Sequence, residues 1–145
     1  MIPNLFYKAS IPDALPKDMQ GVVDKLKKSK SKEDCLKKAY DALSERYVGC
    51  KVHTRFFDIF TSDVNKLWNT KYQHCTALNY FLRILLVKSG FFKDEDIMLK
   101  WTLIYYISVH QYLRIRLDEN MTINVDPWGA HHRTNFGDYA HGFHY

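Results

Sequence analysis

Apolar and polar residues alternate in two successive segments near the C-terminus, and this pattern constrains the fold more than any other. The apolar positions all carry odd numbers on both sides of a polar turn, Asp118-Glu119-Asn120: Leu113, Ile115, Leu117, Met121, Ile123 and Val125. A period of two is typical of a half-buried strand, so the segments form a β-hairpin. Odd positions must then pair with odd positions, as a three-residue loop pairing Leu117 with Met121 allows.

This register brings two polar residues together. It sets Asp126 opposite Tyr112 and diagonal to His110, on the same face of the hairpin. Diagonal neighbours across an antiparallel pair lie about 7–8 Å apart, within reach of long side chains. Hydrophobic parity alone therefore predicts that His110 and Asp126 approach each other.

A helical pattern precedes the hairpin. Its apolar stripe recurs at intervals of three and four residues and ends at Ser89-Gly90, which stops the helix: Ala77, Leu78, Phe81, Leu82, Leu85 and Leu86. The helix starts near His74-Cys75, so Cys75 lies in its first turn. Unpaired N–H groups and the helix dipole favour an anion there, and a thiolate is such an anion.

The remaining elements are predicted less sharply. Residues 1–16, with three prolines, form an extended arm, and a short helix follows at about 18–28. Ser31 begins a second helix, which Gly49 stops.

Between Ile97 and Leu117 no Gly, Pro or Asn interrupts the alternation, so either a bend occurs there or the part before Thr102 is not strand. Four apolar residues of the poorly patterned stretch 50–70 are assigned to the core: Phe56, Phe57, Ile59 and Phe60.

Length and composition set the broad class. With 145 residues, 46% of them hydrophobic, the chain has the size and apolar content of one domain with a real core. The longest apolar run, residues 103–107, is too short to cross a membrane, and the N-terminus has no signal-peptide pattern. We therefore expect a cytoplasmic protein without a membrane partner.

The net charge of +5 comes almost entirely from one segment. Residues 17–38 hold eight lysines and four acidic residues, which leaves 13 Lys and Arg against 12 acids elsewhere. A solvated helix end explains this segment better than a phosphate-binding surface, so nucleic-acid binding is not favoured.

Neither the cysteines nor the histidines indicate a metal site. Cys35, Cys50 and Cys75 are odd in number and lack a C-x-x-C pair. In the histidine-rich tail, residues 131–145, His141, His144 and Asp138 could bind a metal, but no helical spacing supports it. The aromatic tail is expected to pack over the sheet or border a substrate groove. We expect no metal and no cofactor.

Three sequence blocks resemble the transglutaminase-like superfamily, rearranged relatives of papain-type cysteine proteases. The stretch 73–86 is similar to the family's cysteine helix, 110–115 to its histidine strand, and Val125-Asp126-Pro127 to its closing aspartate block, in that order. The resemblance covers roughly residues 35 to 130. It implies an α+β, papain-like core in which N-terminal helices and a central cysteine helix pack on a small antiparallel β-sheet.

The same resemblance implies a Cys75-His110-Asp126 triad. His110 would take the proton of Cys75, Asp126 would orient the imidazole, and the thiolate would attack an amide or ester carbonyl to form an acyl-enzyme. The oxyanion would be held by the Cys75 backbone N–H and a side chain from the preceding loop, for which Trp68, Asn69 and Gln73 are candidates.

Two classes of function follow. The first is a cysteine-dependent amide-bond enzyme acting on a peptide or protein, more as a peptidase or amidase than as a cross-linking enzyme, because so small a domain has little surface with which to exclude water. The second is a non-catalytic interaction module on the same fold. By this reading Cys35 and Cys50 are structural, and His74 is an ordinary surface or supporting residue.

Overall fold

The computed structural model describes residues 3–51 and 54–143 and shows a mixed α+β structure with a small antiparallel sheet. The elements in chain order are α1 (Lys17–Leu26), α2 (Lys32–Arg46), β1 (Val48–Gly49), α3 (Val64–Trp68), β2 (Tyr72–Gln73), α4 (Cys75–Lys88), β3 (Ile97–Ile104), β4 (Ser108–Arg116) and β5 (Thr122–Val125). Three short 3₁₀ helices lie at Phe56–Phe60, Asp94–Asp96 and Trp128–His131.

The cysteine helix α4 is the centre of the molecule. All residues from 76 to 86 are buried, so the helix is enclosed on every side rather than along one apolar stripe. It packs against α1 and α2 on one side and against β4 on the other. It ends where the sequence predicts, with Gly90 in the left-handed region at φ 85°.

Helix α2 begins as its sequence predicts and ends differently. The Ser31 side chain accepts a hydrogen bond from the Asp34 N–H at 3.1 Å, the expected N-cap. The helix ends at Arg46, because Tyr47 is already extended, and Gly49 belongs to β1. The prediction that Gly49 stops α2 was therefore wrong. A Cβ at Gly49 would lie 2.6 Å from the Trp128 ring, so a close approach requires this glycine.

Strands β3, β4 and β5 form one antiparallel sheet in that order. Leu113 pairs with Val125 and Ile115 with Ile123, and the Leu117 N–H donates to the Met121 carbonyl at 2.9 Å. This is the register that odd-to-odd pairing predicts, and the hairpin prediction is confirmed.

The uninterrupted alternation between Ile97 and Leu117 is resolved by a tight turn. Residues 97–104 are strand, so the alternative in which the part before Thr102 is not strand is wrong. The bend lies at Tyr105 and Tyr106, which adopt left-handed φ angles of 52° and 61°. Left-handed backbone ordinarily favours Gly, Asn or Asp, and because tyrosines occupy both positions the sequence carries no turn residue that marks the bend.

Strands β1 and β2 form a second, two-stranded parallel sheet that the sequence did not indicate. Val48 pairs with Tyr72 and Gly49 with Gln73, and the Cys50 N–H continues the ladder to the Gln73 carbonyl at 2.8 Å. This pairing sets Cys50 beside the start of α4.

Polar contacts hold the N-terminal arm against α4 and β4. The buried Arg83 guanidinium donates to Asn4 Oδ1 at 3.0 Å and to the Ala9 carbonyl at 2.9 Å. The Gln111 side chain, next to His110 on β4, donates to the carbonyls of Asn4 and Leu5. The arm is thereby fixed beside the strand that carries His110.

The aromatic 3₁₀ helix Phe56–Phe60 corrects a prediction. Ile59 is buried, but Phe56, Phe57 and Phe60 are 47%, 82% and 50% exposed, so they do not fill the core. Their rings instead pack edge to face on one another.

The C-terminal tail packs back on the sheet, as its aromatic content predicts. Tyr139 stacks on Tyr112 with ring centroids 3.9 Å apart, and Gly142 forms a bridge to Ile104 at the end of β3. No helix within the described residues is long and apolar enough to span a membrane.

Candidate active site

His110 and Asp126 form a buried hydrogen-bonded pair. Hairpin register brings them to one face, and the His110 Nε2 to Asp126 Oδ2 distance is 2.7 Å. Both side chains are almost fully buried. Burial alone lowers the pKa of His110, but the Asp126 carboxylate and the Cys75 side chain outweigh it and raise that pKa to about 10. The imidazolium form is therefore the favoured one.

Asp126 is held by backbone donors on both of its oxygens. Oδ1 accepts the Gly129 N–H at 3.1 Å, and Oδ2 accepts the Ala140 N–H at 2.9 Å in addition to His110. The C-terminal tail and the turn after β5 thus both position this residue.

Cys75 lies close to His110. It is the first residue of α4 and is half-buried, its side chain is one of the groups that raise the His110 pKa, and both residues line one cavity. Because Asp126 bonds to Nε2, Nδ1 is the ring nitrogen available to a further partner.

A cavity with a volume of about 320 Å³ reaches this group of residues. Cys75 and His110 line it, together with His74 and Thr76 from the start of α4. His74 is the N-cap residue of α4 but makes no side-chain cap bond. The first-turn N–H groups therefore have no side-chain acceptor at the N-cap, and the Cys75 N–H remains a candidate oxyanion donor.

The structure does not bring the three predicted oxyanion side chains to this cavity. Trp68 packs between Tyr47 and Phe81. The Asn69 amide donates to the Asn65 carbonyl, and the buried Gln73 amide donates to the carbonyls of Leu67 and Thr70. None of the three lines the cavity.

Three residues that line the cavity were not predicted from the sequence to be part of the site. Cys50 and His74 are buried side by side, with Cys50 Sγ 3.8 Å from His74 Nδ1, and burial raises the pKa of the Cys50 thiol to about 11. Trp128 donates its Nε1 to the Cys50 carbonyl at 3.0 Å, and its ring centroid lies 4.8 Å from that of His110.

Across residues 3–51 and 54–143, no group of three or more His, Cys, Asp or Glu side chains could hold a metal ion. His144, which the sequence offered as a ligand with His141 and Asp138, lies outside the described residues.

Neither known protein-family models nor curated protein sequences give a match to this chain.

Proposed function

We propose that this protein is a cysteine-dependent amide-bond enzyme on a transglutaminase-like, papain-like core. The observation that carries the proposal is the buried His110–Asp126 pair beside a cavity that Cys75 and His110 both line. The resemblance of the three sequence blocks supports the same assignment. Three free thiols and a thiol-dependent reaction fit a cytoplasmic protein.

The reaction balances with these groups alone. The Cys75 thiolate attacks the carbonyl carbon, forming the C–S bond, and the Cys75 N–H stabilises the oxyanion. His110 gives its proton to the leaving amine as the C–N bond breaks. His110 then takes a proton from water as the water oxygen attacks the thioester, and breaking of the C–S bond releases the acid and restores the Cys75 thiolate beside the His110 imidazolium. Asp126 keeps the imidazole ring oriented throughout.

Water is the proposed acceptor. An alkylammonium acceptor would be drawn to a carboxylate, yet none of the described cavity-lining residues is Asp or Glu, and Lys51 is the one Lys or Arg among them. A lysine side chain approaching this cavity would meet a like charge. Hydrolysis of a peptide or protein substrate is therefore favoured over transamidation.

The two other cysteines provide internal controls for a test. Iodoacetamide at pH 6–7, followed by peptide mapping, measures the alkylation rate of each thiol in the same molecule. We expect Cys75 to react at least tenfold faster than Cys50, which lines the same cavity, and than Cys35. In His110→Ala the advantage of Cys75 should disappear. A brief reaction with p-nitrophenyl acetate should leave an acyl group on Cys75 alone.

If Cys75 reacts no faster than Cys50, the enzyme proposal fails and an interaction module on this fold becomes the better reading. The same holds if labelling of Cys75 is independent of His110, because the proposed thiolate is stabilised by that imidazolium.

A further inference from the structure

The cavity beside Cys75 has an apolar lining assembled from four separate parts of the chain. Its apolar residues come from the N-terminal arm, the aromatic 3₁₀ helix, the β3–β4 hairpin and the turn after β5: Leu5, Ile59, Ile104, Val109 and Trp128. A volume of about 320 Å³ is at the lower end of the range for ligand pockets. Such a cavity has room for one large side chain and the adjoining backbone.

The charges of the lining residues restrict which kinds of side chain the cavity can bind. The described lining residues include no carboxylate, so a cationic side chain would be desolvated without a partner. A carboxylate could meet Lys51, an exposed residue of the lining, or the His110 imidazolium, whose charge is already paired with Asp126. Burial of an apolar side chain, by contrast, requires no partner and is favoured in proportion to its area.

The apolar character continues outside the cavity. Ile59 lies within the exposed aromatic cluster of Phe56, Phe57 and Phe60. Tyr105, another lining residue, adjoins Tyr106, and both rings pack on the exposed ring of Phe143. Exposed apolar surface next to a cavity marks a contact region for a larger apolar ligand. An extended peptide presents such a ligand more readily than a small free amide.

We propose that the cavity is a specificity pocket for a bulky apolar side chain of the peptide acyl donor, next to the carbonyl that Cys75 attacks. This inference rests on the proposed function, because it assigns the substrate class of that same site. It makes Val109, one residue before His110, a specificity-determining residue. Apolar acyl donors are then preferred over basic, acidic and small ones.

Alkylation of Cys75 tests the pocket without any need for turnover. Iodoacetamide and N-phenethyl iodoacetamide form the same C–S bond and release the same iodide, but the second carries an apolar group. The ratio of the two alkylation rates at Cys75, divided by the ratio of the two rates with glutathione, measures how strongly the cavity favours the apolar group. We expect the phenethyl reagent to be favoured about tenfold.

A matched pair of variants locates the effect. Val109→Lys puts a charge in the lining, and Ile107→Lys puts the same charge two residues earlier, on an 84% exposed side chain that does not line the cavity. The apolar preference should fall at least fivefold in Val109→Lys and stay unchanged in Ile107→Lys. Val109→Gln, which adds no charge, should show a reduced preference as well, and circular dichroism checks that each variant is folded.

The outcomes separate this inference from the function on which it rests. Fast alkylation of Cys75 by iodoacetamide without an apolar preference would overturn the pocket and leave the enzyme proposal standing. An equal loss of preference in Ile107→Lys would also overturn it, since the effect would then be one of charge alone. Slow alkylation of Cys75 by both reagents would contradict the enzyme proposal itself.

Discussion

The two ends of α4 each meet a cysteine, and the two thiols have opposite surroundings. At the C-terminal end, Cys35 of α2 is fully buried and donates to Ser89 Oγ at 3.4 Å, and burial raises the pKa of its thiol. At the N-terminal end, Cys75 is half-buried and lines a cavity together with His110. The first thiol is enclosed in the core, whereas the proposed function gives the second a cationic partner, His110, and an entry path for a substrate.

On the proposed function, this comparison separates a structural cysteine from a reactive one. Both lie near the start of a helix, Cys35 as the fourth residue of α2 and Cys75 as the first residue of α4. What differs is the exposure and the neighbouring side chain, because Cys35 meets Ser89 in the core whereas Cys75 shares a cavity with His110. A buried carboxylate that stabilises the neighbouring imidazolium completes the difference.

The largest expected effect separates the two cysteines by activity. Cys75→Ala should lower kcat/KM for an N-acyl-leucyl anilide by about 10⁴-fold or more, because the nucleophile is removed. Cys35→Ala should leave kcat/KM within about twofold while lowering the free energy of unfolding, because it leaves a small void in the core. Steady-state kinetics and urea unfolding of both variants check this. Comparable losses of activity in the two variants would show that Cys35 and Cys75 do not differ in function.

The next effect addresses the carboxylate. Both oxygens of Asp126 accept backbone N–H groups, from Gly129 and Ala140, so Asp126→Asn must point an amide N–H at a donor. It also removes the charge that favours the imidazolium. We expect kcat/KM to fall about 10³–10⁴-fold. Asp118→Asn, in the β4–β5 turn, is the matched control, because Asp118 caps only the Asn120 N–H there. An equal loss in both would show that the effect is not specific to the site.

Two physical rules explain how much of this site could be predicted. Strand parity fixes register, so Leu113 to Val125 pairing and the approach of His110 to Asp126 could be derived from the sequence. Helix stop and start signals likewise gave both ends of α4. These rules act over a few residues, or across one tight hairpin, and therefore need no knowledge of the rest of the fold.

The remaining features depend on contacts between distant segments. The parallel pairing of Val48 with Tyr72 joins segments more than twenty residues apart, and nothing local signals it. The failed assignment of Phe57 to the core has the same origin: hydrophobicity favours burial, but only the fold decides whether space is available. Gln73 was a chemically suitable oxyanion donor whose amide is used to hold the loop before β2.

The next prediction concerns pH. The pKa of His110 is raised in the folded protein from about 6.5 to about 10, so the folded state binds more protons than the unfolded state between these values. The resulting stabilisation is fully present below pH 6.5 and is lost as pH rises through 10. It should amount to a few kcal/mol, on the order set by 1.36 kcal/mol per pKa unit.

Urea unfolding at intervals from pH 6 to 10.5 measures this contribution. Other groups titrate at alkaline pH as well, so the informative quantity is the difference in free energy of unfolding between the wild type and Asp126→Asn. That difference should be largest near pH 6.5 and shrink towards pH 10. A difference that does not vary with pH would show that Asp126 does not stabilise the imidazolium.

The smallest expected effect tests how strongly the position of the Asp126 carboxylate depends on the turn after β5. A Cβ at Gly129 would lie 2.7 Å from Thr134 Cβ and 3.0 Å from Asp126 Oδ2, so Gly129→Ala must displace the carboxylate or the turn. Overpacking of this kind costs about 1–3 kcal/mol, and we expect a loss of activity of about 10–100-fold.

Gly21→Ala in α1 is the matched control, because its Cβ would meet nothing within 4 Å and alanine favours the helix by about 0.5–1 kcal/mol. Thermal stability and activity should therefore both fall below wild type in Gly129→Ala, whereas Gly21→Ala should be more stable and equally active. If Gly129→Ala lowers stability but leaves kcat/KM and the His110 titration unchanged, the turn has absorbed the methyl group, and the carboxylate is held by Ala140 and His110 rather than by the backbone of Gly129.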